Sequence, residues 1–167
     1  MKGRKAYLGL GSNLGERERN IKLALEGLAK VPGIKVTRCS SFYETEPVDV
    51  AGGCFINAAI EIETALHPIS LWRHLQALER EMGRPETRER GSPRTIDFDL
   101  LLYEDWIYEE GGLIIPHPSM HQRRFVLEPL REIAPDVRHP KTGKKIEDLL
   151  MEMRDGYRVV RLGNKGE

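Results

Sequence analysis

The order of hydrophobic patterns up to Tyr103 restricts the fold of this chain most strongly. Short apolar runs, typical of strands, alternate with longer runs whose apolar residues recur every three or four positions, typical of helices. The predicted strands are residues 6–11, 34–45, 55–64 and 95–103, and the predicted helices are residues 16–30 and 68–82. The resulting order is that of two βαβ units, so we expect an α+β split βαβ sandwich with helices on one face of an antiparallel sheet.

The rest of the chain predicts a C-terminal helical extension, with helices at residues 125–133 and 146–153. Before the first helix, either Ser12 or Asn13 is a suitable N-cap. A chain of 167 residues is long enough to bury one hydrophobic core, so we predict a single domain over residues 1–167.

Composition excludes several classes of protein. Lys+Arg and Asp+Glu both number 26, which argues against binding nucleic acid by broad electrostatic attraction. No apolar stretch is long enough to span a membrane, and the basic N-terminus is not followed by a signal-peptide core. We therefore expect a cytoplasmic protein without nucleic-acid or membrane partners, either a monomer or a weak homo-oligomer.

Two aspartates share one face of the last predicted strand. Side chains alternate along a strand, so Asp97 and Asp99 point to one side, whereas Phe98 and Leu100 point to the other. Neighbouring carboxylates repel each other, and a Mg²⁺ ion that bridges them to phosphate oxygens removes the repulsion. Taken alone, the pattern is also typical of a solvated strand face.

An arginine-rich segment leads directly into this strand. Residues 83–94 read GRPETRERGSPR and contain no Leu, Ile, Val or aromatic residue, which predicts a mobile surface loop. Cations beside an acidic metal site suit phosphate transfer, in which the protein mainly positions reactants and neutralises charge. Because glutamates alternate with the arginines, a merely solvated loop is the alternative.

Aromatic and amide side chains are suitably spaced to bind a flat heterocycle. Phe55 and Asn57 share a face of the third predicted strand, where a ring can stack and an amide can donate hydrogen bonds. Arg123 and Phe125 are separated by one residue, and His117 stands between two prolines. Each also has a structural alternative, as a core phenylalanine, an edge asparagine or an ordinary loop residue.

The glycine-rich segment GLGSNLG at residues 9–15 is not a dinucleotide-binding fingerprint. Its second and third glycines are one residue too far apart for GxGxxG, and the sequence has no Walker A motif. An ATP-dependent enzyme with this sequence would therefore hold phosphates with side chains and metal ions.

Five segments resemble, in order and spacing, the 6-hydroxymethyl-7,8-dihydropterin pyrophosphokinase family, from about Lys5 to Met153. They are YLGLGSNLG, SSFYETEP, FINAA, GRPETRERGSPRTIDFDLLLY and IIPHPSMHQRRFVLEPL, of which PRTIDFD is the most specific. The resemblance implies a ferredoxin-like fold and magnesium-dependent transfer of diphosphate from ATP to the hydroxymethyl group of a reduced pterin. The implied products are AMP and the pterin diphosphate, on the route to folate.

The same resemblance implies roles for individual residues. Asp97 and Asp99 match metal-holding catalytic residues, with two Mg²⁺ ions expected beside ATP, and Arg84 and Arg94 match arginines that steady the phosphates. Nucleotide-contacting positions of the family match Gln76, Glu79, His117 and Arg123. Pterin-binding positions match Thr45, Pro47, Phe55, Asn57 and Phe125.

The chain departs from the family pattern in the arginine-rich segment. Gly91 stands where many members carry an aromatic ring that covers the pterin, and Ser92 replaces a smaller residue. Glu86 stands where some members have another arginine. These departures concern the closure of the site and its hold on ATP.

Two other functions are compatible with the same element order. An RNA-recognition module would place aromatic residues such as Tyr7 and Phe55 on its central strands, and salt-dependent RNA binding would reveal it. A regulatory ligand-binding module would lack catalysis. Neither has a use for paired aspartates beside an arginine-rich loop.

Overall fold

The structure is a computed structural model that describes residues 3–45, 54–83, 95–154 and 159–162. Its strands are β1 (Arg4–Ser12), β2 (Ile34–Cys39), β3 (Tyr43–Thr45), β4 (Phe55–Thr64), β5 (Asp97–Tyr103), β6 (Tyr108–Glu110), β7 (Leu113–Ile115) and β8 (Val159–Arg161). Its helices are α1 (Arg17–Ala29), α2 (Pro68–Glu81), α3 (Arg124–Ile133) and α4 (Ile146–Met151), with a 3₁₀ turn at Met120–Gln122. Among these described helices, none has the length and apolar character needed to cross a bilayer.

A six-stranded sheet forms the centre of the fold, and all its strand pairs are antiparallel. β1 lies between β5 and β4, β4 pairs in turn with both β2 and β3, and β8 adds to the outer edge of β3. The strands of the two βαβ units therefore follow the order β5-β1-β4-β2. The predicted α+β, ferredoxin-like architecture is confirmed.

The sheet separates two hydrophobic cores. On one face α1 and α2 pack against residues such as Leu8 and Leu100, and on the other α3 and α4 pack against Tyr7 and Leu101. Because side chains alternate along each strand, β1 and β5 contribute to both cores. The expected single layer of helices holds for the split βαβ unit, while the C-terminal extension covers the second face.

The prediction of one continuous strand over residues 34–45 is wrong, because the chain leaves the ladder between β2 and β3. There the hydroxyl of Ser40 accepts a hydrogen bond from the backbone nitrogen of Ala59 at 2.9 Å. The backbone nitrogen of Ser41 donates to Glu132 Oε2 on α3, also at 2.9 Å. Short polar side chains offer the backbone such alternatives to regular pairing.

Glu132 ties β3 to α3. The hydroxyl of Tyr43 donates to Glu132 Oε1 over 2.6 Å, and the hydroxyl of Ser41 donates to Oε2 over 3.1 Å. Burial raises the pKa of Tyr43, and the bonded Glu132 carboxylate raises it further, so the phenol remains a proton donor. The three-residue strand β3 is thereby fixed against α3, which is distant in sequence.

The expected cap of α1 is also wrong. Glu16 occupies the N-cap position and makes no side-chain cap hydrogen bond. Instead, Asn20 in the first turn reaches back, and its Nδ2 donates to Ser12 Oγ at 3.2 Å and to the Leu14 carbonyl at 2.8 Å. The loop before the helix is therefore held from within the helix.

The hairpin formed by β6 and β7 was not predicted. Gly111 and Gly112 connect its strands with φ angles of 61° and 89°, which glycine adopts without steric cost. A Gly-Gly pair between two short segments, Tyr108–Glu110 and Leu113–Ile115, is a turn signal that the sequence contained. The hairpin leads directly to His117.

Candidate active site

The candidate site begins with two carboxylates on edge strand β5. Asp97 and Asp99 are half-buried, whereas Phe98 and Leu100 between and beyond them are buried in the core under α1 and α2. The predicted alternation is therefore confirmed. Because Leu101 on the same side as the aspartates packs with α3 and α4, both carboxylates lie on the face that those helices partly cover.

Gly9 and Gly11 of β1 lie beside these carboxylates, because Gly9 pairs with Asp99 and Gly11 with Asp97. Gly11 pairs with Asp97 on β5 and with Asn57 on β4, so one row across the sheet reads Asp97, Gly11, Asn57. A Cβ atom on Gly11 would lie 2.8 Å from Asn57 Oδ1 and 3.3 Å from Phe55 Cδ1. Asn57 and Phe55 therefore occupy the space that a side chain at position 11 would need. The sequence did not reveal this role of the glycine-rich segment.

Asn57, Thr45 and Phe55 form a slot next to this row. Asn57 Nδ2 donates to Thr45 Oγ1 over 2.7 Å, and Thr45 pairs directly with Phe55 across β3 and β4. Thr45 and Asn57 are buried, whereas Phe55 is half-buried. The hydrogen bond fixes the amide, so a polar edge and an aromatic ring lie on the same sheet face as Asp97.

Arg123 and Phe125 meet at the start of α3, as their spacing predicted. The Arg123 guanidinium carbon lies 5.7 Å from the centroid of the Phe125 ring, within the range of a cation–π interaction. Phe125 also packs against the core between the sheet and α3. The first turn of α3 thus brings a cation and a ring to the face that carries Asp99.

His117 is held beside Asp99. Its backbone nitrogen donates to the Leu101 carbonyl at 2.9 Å, and its Nδ1 accepts from the Ser119 backbone nitrogen at 3.2 Å. Since Nδ1 is an acceptor, the neutral ring carries its hydrogen on Nε2, which lies 3.8 Å from Asp99 Oδ1.

The charge of His117 follows from its surroundings. Burial lowers its pKa to about 4, and the Arg123 guanidinium acts in the same direction, against the opposing effect of Asp97. The contact with Asp99 is therefore not an ion pair at neutral pH. His117 is instead a neutral donor placed between a carboxylate and a guanidinium.

Glu79 and Gln76 lie along one side of α2. Glu79 is only 2% exposed, and its Oε2 accepts from the backbone nitrogen of Phe98 at 2.7 Å. This carboxylate thereby holds β5 between its two aspartates. Gln76 is half-buried one turn earlier, and Trp72 lies four residues before it, so the three form a line on the helix.

A pocket of about 230 Å³ opens beside Asp99, at the edge of the sheet. Its lining residues are Trp72, Phe98, Asp99, Leu100, Gly112, Leu113, Ile114, His117 and Pro118. Most of the lining side chains are apolar, but the surface open to the pocket is more polar than apolar, a mixture that suits a flat ring joined to a charged group. Sequence reasoning missed most of these residues because it missed the hairpin that brings them there.

The carboxylates fit a hard cation. Oxygen ligands are those that Mg²⁺ prefers, and Mg²⁺ is usually held by one or two carboxylates together with phosphate oxygens. In the described ranges no group of three or more His, Cys, Asp or Glu side chains is arranged to hold a metal by itself. Asp97 and Asp99 could therefore contribute two ligands and leave the other positions to a nucleotide.

Comparison with known proteins identifies the family of the chain. The family model for 7,8-dihydro-6-hydroxymethylpterin-pyrophosphokinase matches residues 7–135. The chain belongs to this family. The matched range includes β1 from Tyr7 onward, the slot residues Thr45, Phe55 and Asn57, and all of α3. His117 also lies within it.

Relatives of this chain include both short proteins and much longer ones. The 2-amino-4-hydroxy-6-hydroxymethyldihydropteridine pyrophosphokinase of Bacillus subtilis is 43% identical over 156 residues, covering 92% of this chain and 89% of that protein. The folic acid synthesis protein fol1 of Schizosaccharomyces pombe is 44% identical over 150 residues, covering 89% of this chain but only 20% of that protein. The chain thus spans a fifth of one relative and most of the other.

The fold is also that of solved structures. The crystal structure of Plasmodium falciparum HPPK-DHPS with pteroate superposes with a TM-score of 0.74 at 14% identity, covering 90% of this chain and 44% of that one. At this identity the likeness concerns the fold alone. Among the site residues predicted from the sequence, Pro47, Arg84 and Arg94 lie outside the described residues, as do Glu86, Gly91 and Ser92.

Proposed function

We propose that this member of the pterin pyrophosphokinase family transfers the terminal diphosphate of ATP to the hydroxymethyl group of 6-hydroxymethyl-7,8-dihydropterin. The observation that carries the proposal is the position of Asp97 and Asp99 between two different recesses. On one side lies the slot of Asn57, Thr45 and Phe55, and on the other lies the pocket beside His117. A transfer between two substrates needs such a pair of adjoining sites.

The slot would bind the pterin. A buried amide fixed by Thr45 presents hydrogen-bonding atoms to the edge of a heterocycle, and the Phe55 ring offers a stacking surface. Phe125, at the start of α3, would cover the opposite face of the bound ring. Pro47 belongs to the same proposed wall.

The pocket at the sheet edge would bind ATP. Trp72, Leu113 and Ile114 supply apolar walls for the adenine ring, while Gln76 and Glu79 lie along the neighbouring helix. His117 would donate from Nε2 to a phosphate oxygen without adding a charge, and Arg123 would add one. A cytoplasmic location is part of the proposal because ATP is the co-substrate.

The reaction exchanges one oxygen–phosphorus bond for another, and the hydroxyl proton passes to solvent. The hydroxymethyl oxygen bonds to the β-phosphorus and releases its proton, and the bond between that phosphorus and the oxygen bridging to the α-phosphorus breaks. AMP leaves with the bridging oxygen. Asp97 and Asp99 would hold two Mg²⁺ ions, which supply charge neutralisation to the phosphates. Arg84 and Arg94 would steady the transferring group.

The product nucleotide tests the proposal. Incubation with ATP, Mg²⁺ and the reduced hydroxymethylpterin should form AMP and pterin diphosphate in equal amounts, as measured by nucleotide chromatography. Omission of magnesium, or excess chelator, should stop the reaction. ADP as the main product would mean simple phosphoryl transfer, and salt-sensitive RNA binding without turnover would favour the alternative RNA-recognition module.

A further inference from the structure

Arg17 joins the two chain segments that enter the slot. It is the first residue of α1, and its Nη1 donates to the carbonyl oxygen of Cys54 at 2.7 Å. Its Nη2 lies 3.0 Å from Oε2 of Glu44. Cys54 immediately precedes Phe55 and Glu44 immediately precedes Thr45, so one guanidinium ties together the approaches to this cross-strand pair.

The helix gains nothing from an arginine at this position. The N-terminal end of a helix carries a partial positive charge, so a cation in the first turn is unfavourable there. α1 also lacks a side-chain cap, and Arg17 does not provide one. The contacts with Cys54 and Glu44, rather than helix stability, therefore account for the placement of the charge.

Global stability does not explain the contacts well either. The side chains of Arg17 and Glu44 are 32% and 40% exposed. Ion pairs that are open to solvent contribute little to the free energy of unfolding. A fork-shaped guanidinium does, however, fix two partners in a defined geometry, which a flexible ammonium group does not.

The start of α1, which carries Arg17, is anchored on the sheet face opposite the slot. Asn20, on the same helical turn, is bonded to Ser12 Oγ and the Leu14 carbonyl, which anchors the start of α1 to the end of β1. Glu44 alternates with Tyr43 and Thr45 along β3, so its side chain points to the sheet face opposite the slot. Arg17 can therefore adjust the slot without touching a bound ligand.

We propose that Arg17 is a positioning residue for the pterin slot, holding the end of β3 against the chain that enters β4 from behind the sheet. The proposal rests on the proposed function, because it takes the slot to be the pterin site. It extends that function to a residue outside the slot. Its effect should appear in pterin affinity and not in ATP affinity, since the nucleotide pocket lies beyond Asp99 at the other edge of the sheet.

Binding measurements on the full chain test this role. The dissociation constants of the reduced hydroxymethylpterin, with a non-hydrolysable ATP analogue and Mg²⁺ present, and of the analogue alone are measured by calorimetry. Arg17→Ala should raise the pterin dissociation constant about fivefold to twentyfold and leave that of the analogue within about twofold. Arg17→Lys should give an intermediate value, because an ammonium group keeps the charge but not the fork.

Arg19→Ala is the matched control. Arg19 lies on the same helix, and its ion pair with Glu16 spans 3.8 Å between side chains that are 70% and 79% exposed. This variant should bind both ligands as the unchanged chain does. Glu44→Gln keeps the Cys54 contact, so it should weaken pterin binding less than Arg17→Ala, and the double variant should fall short of the product of the two effects.

The outcomes separate this proposal from the proposed function. If the unchanged chain does not bind the pterin, the slot assignment fails. If it binds the pterin and Arg17→Ala binds equally well, the positioning role is wrong. If Arg17→Ala lowers the affinities for the pterin and the analogue by the same factor and also lowers the melting temperature, Arg17 is a general structural residue. If Glu44→Gln binds the pterin with unchanged affinity, the Glu44 contact has no part in the positioning.

Discussion

Asn57 Nδ2 donates to Thr45 Oγ1 over 2.7 Å, and this contact orients a buried amide toward Gly11 on the neighbouring strand. The two residues are separated by a chain segment but brought together by antiparallel pairing of β3 and β4. The amide has one of its donors satisfied inside the protein before any ligand arrives. A binding site prepared in this way loses less entropy on binding.

Removing the hydroxyl of Thr45 should lower both the free energy of unfolding and the affinity for the pterin. Thr45→Val keeps the shape of the side chain but leaves a buried amide donor unsatisfied, which costs about 1–3 kcal/mol in the free energy of unfolding. Denaturant titration should show this loss, and calorimetry should show weaker pterin binding. Thr45→Ser keeps the acceptor, so it should retain most of the free energy of unfolding and most of the pterin affinity. If Thr45→Val matches the unchanged chain, the hydrogen bond does not organise the slot.

The missing side chain of Gly11 provides a steric test. In Gly11→Ala the new Cβ would stand 2.8 Å from Asn57 Oδ1, so the amide must move. We expect pterin affinity to fall about tenfold or more, corresponding to about 1.4 kcal/mol. Gly9→Ala is the control, because its Cβ would meet Leu101 Cδ1 at an ordinary 3.6 Å. Equal behaviour of the two variants in a pterin titration would contradict the role assigned to Gly11.

Neutralising Asp99 separates metal binding from scaffolding. Without ligands, Asp99→Asn removes repulsion between the two carboxylates of β5, so the melting temperature should stay the same or rise slightly. With Mg²⁺ and ATP present, the variant should lose most of the ligand-induced stabilisation, and turnover should fall about a hundredfold or more. Thermal melts and initial rates measure these effects. Unfolding without ligands would make Asp99 structural, and normal turnover would remove the proposed metal site.

Acid should destabilise the fold through buried histidines. His139 is 3% exposed, and its Nδ1 accepts from the backbone nitrogens of Lys141 and Thr142 at 3.2 and 3.3 Å. Burial lowers its pKa, with His121 and Lys141 acting in the same direction. The folded state therefore resists protonation, while an unfolded histidine binds a proton below about pH 6.5.

Because the unfolded chain binds the proton more readily, the free energy of unfolding falls as the pH falls. The stabilising contribution is complete above about pH 6.5 and is lost as the pH falls, with a slope of at most about 1.4 kcal/mol per pH unit for each such histidine. His117, with its pKa lowered to about 4, contributes in the same direction down to that pH. Denaturant midpoints at several pH values measure the slope. His139→Asn keeps an acceptor and should reduce the slope, and an unchanged slope would contradict the assignment.

Local patterns predicted the elements and the faces of their side chains. The positions of the first two helices and of β1, β2, β4 and β5, and the partial exposure of two aspartates opposite buried Phe98, depend on periods of 3.6 and 2.0 residues. Those periods are properties of the backbone, so they can be read without the fold. The segment after Ser40 was misread because its side chains bond to distant groups, the backbone of Ala59 and the carboxylate of Glu132.

The sequence by itself therefore determined the element order, the paired aspartates and the family resemblance, because these depend on residues close together in the chain. Only the tertiary structure decided that Gly11 lies between Asn57 and Asp97, that His117 is a neutral neighbour of Asp99, and that Arg17 joins Cys54 to Glu44. Such relationships depend on strand register, burial and the docking of α1 onto the sheet. These are set by packing between segments far apart in sequence, and no local period encodes them.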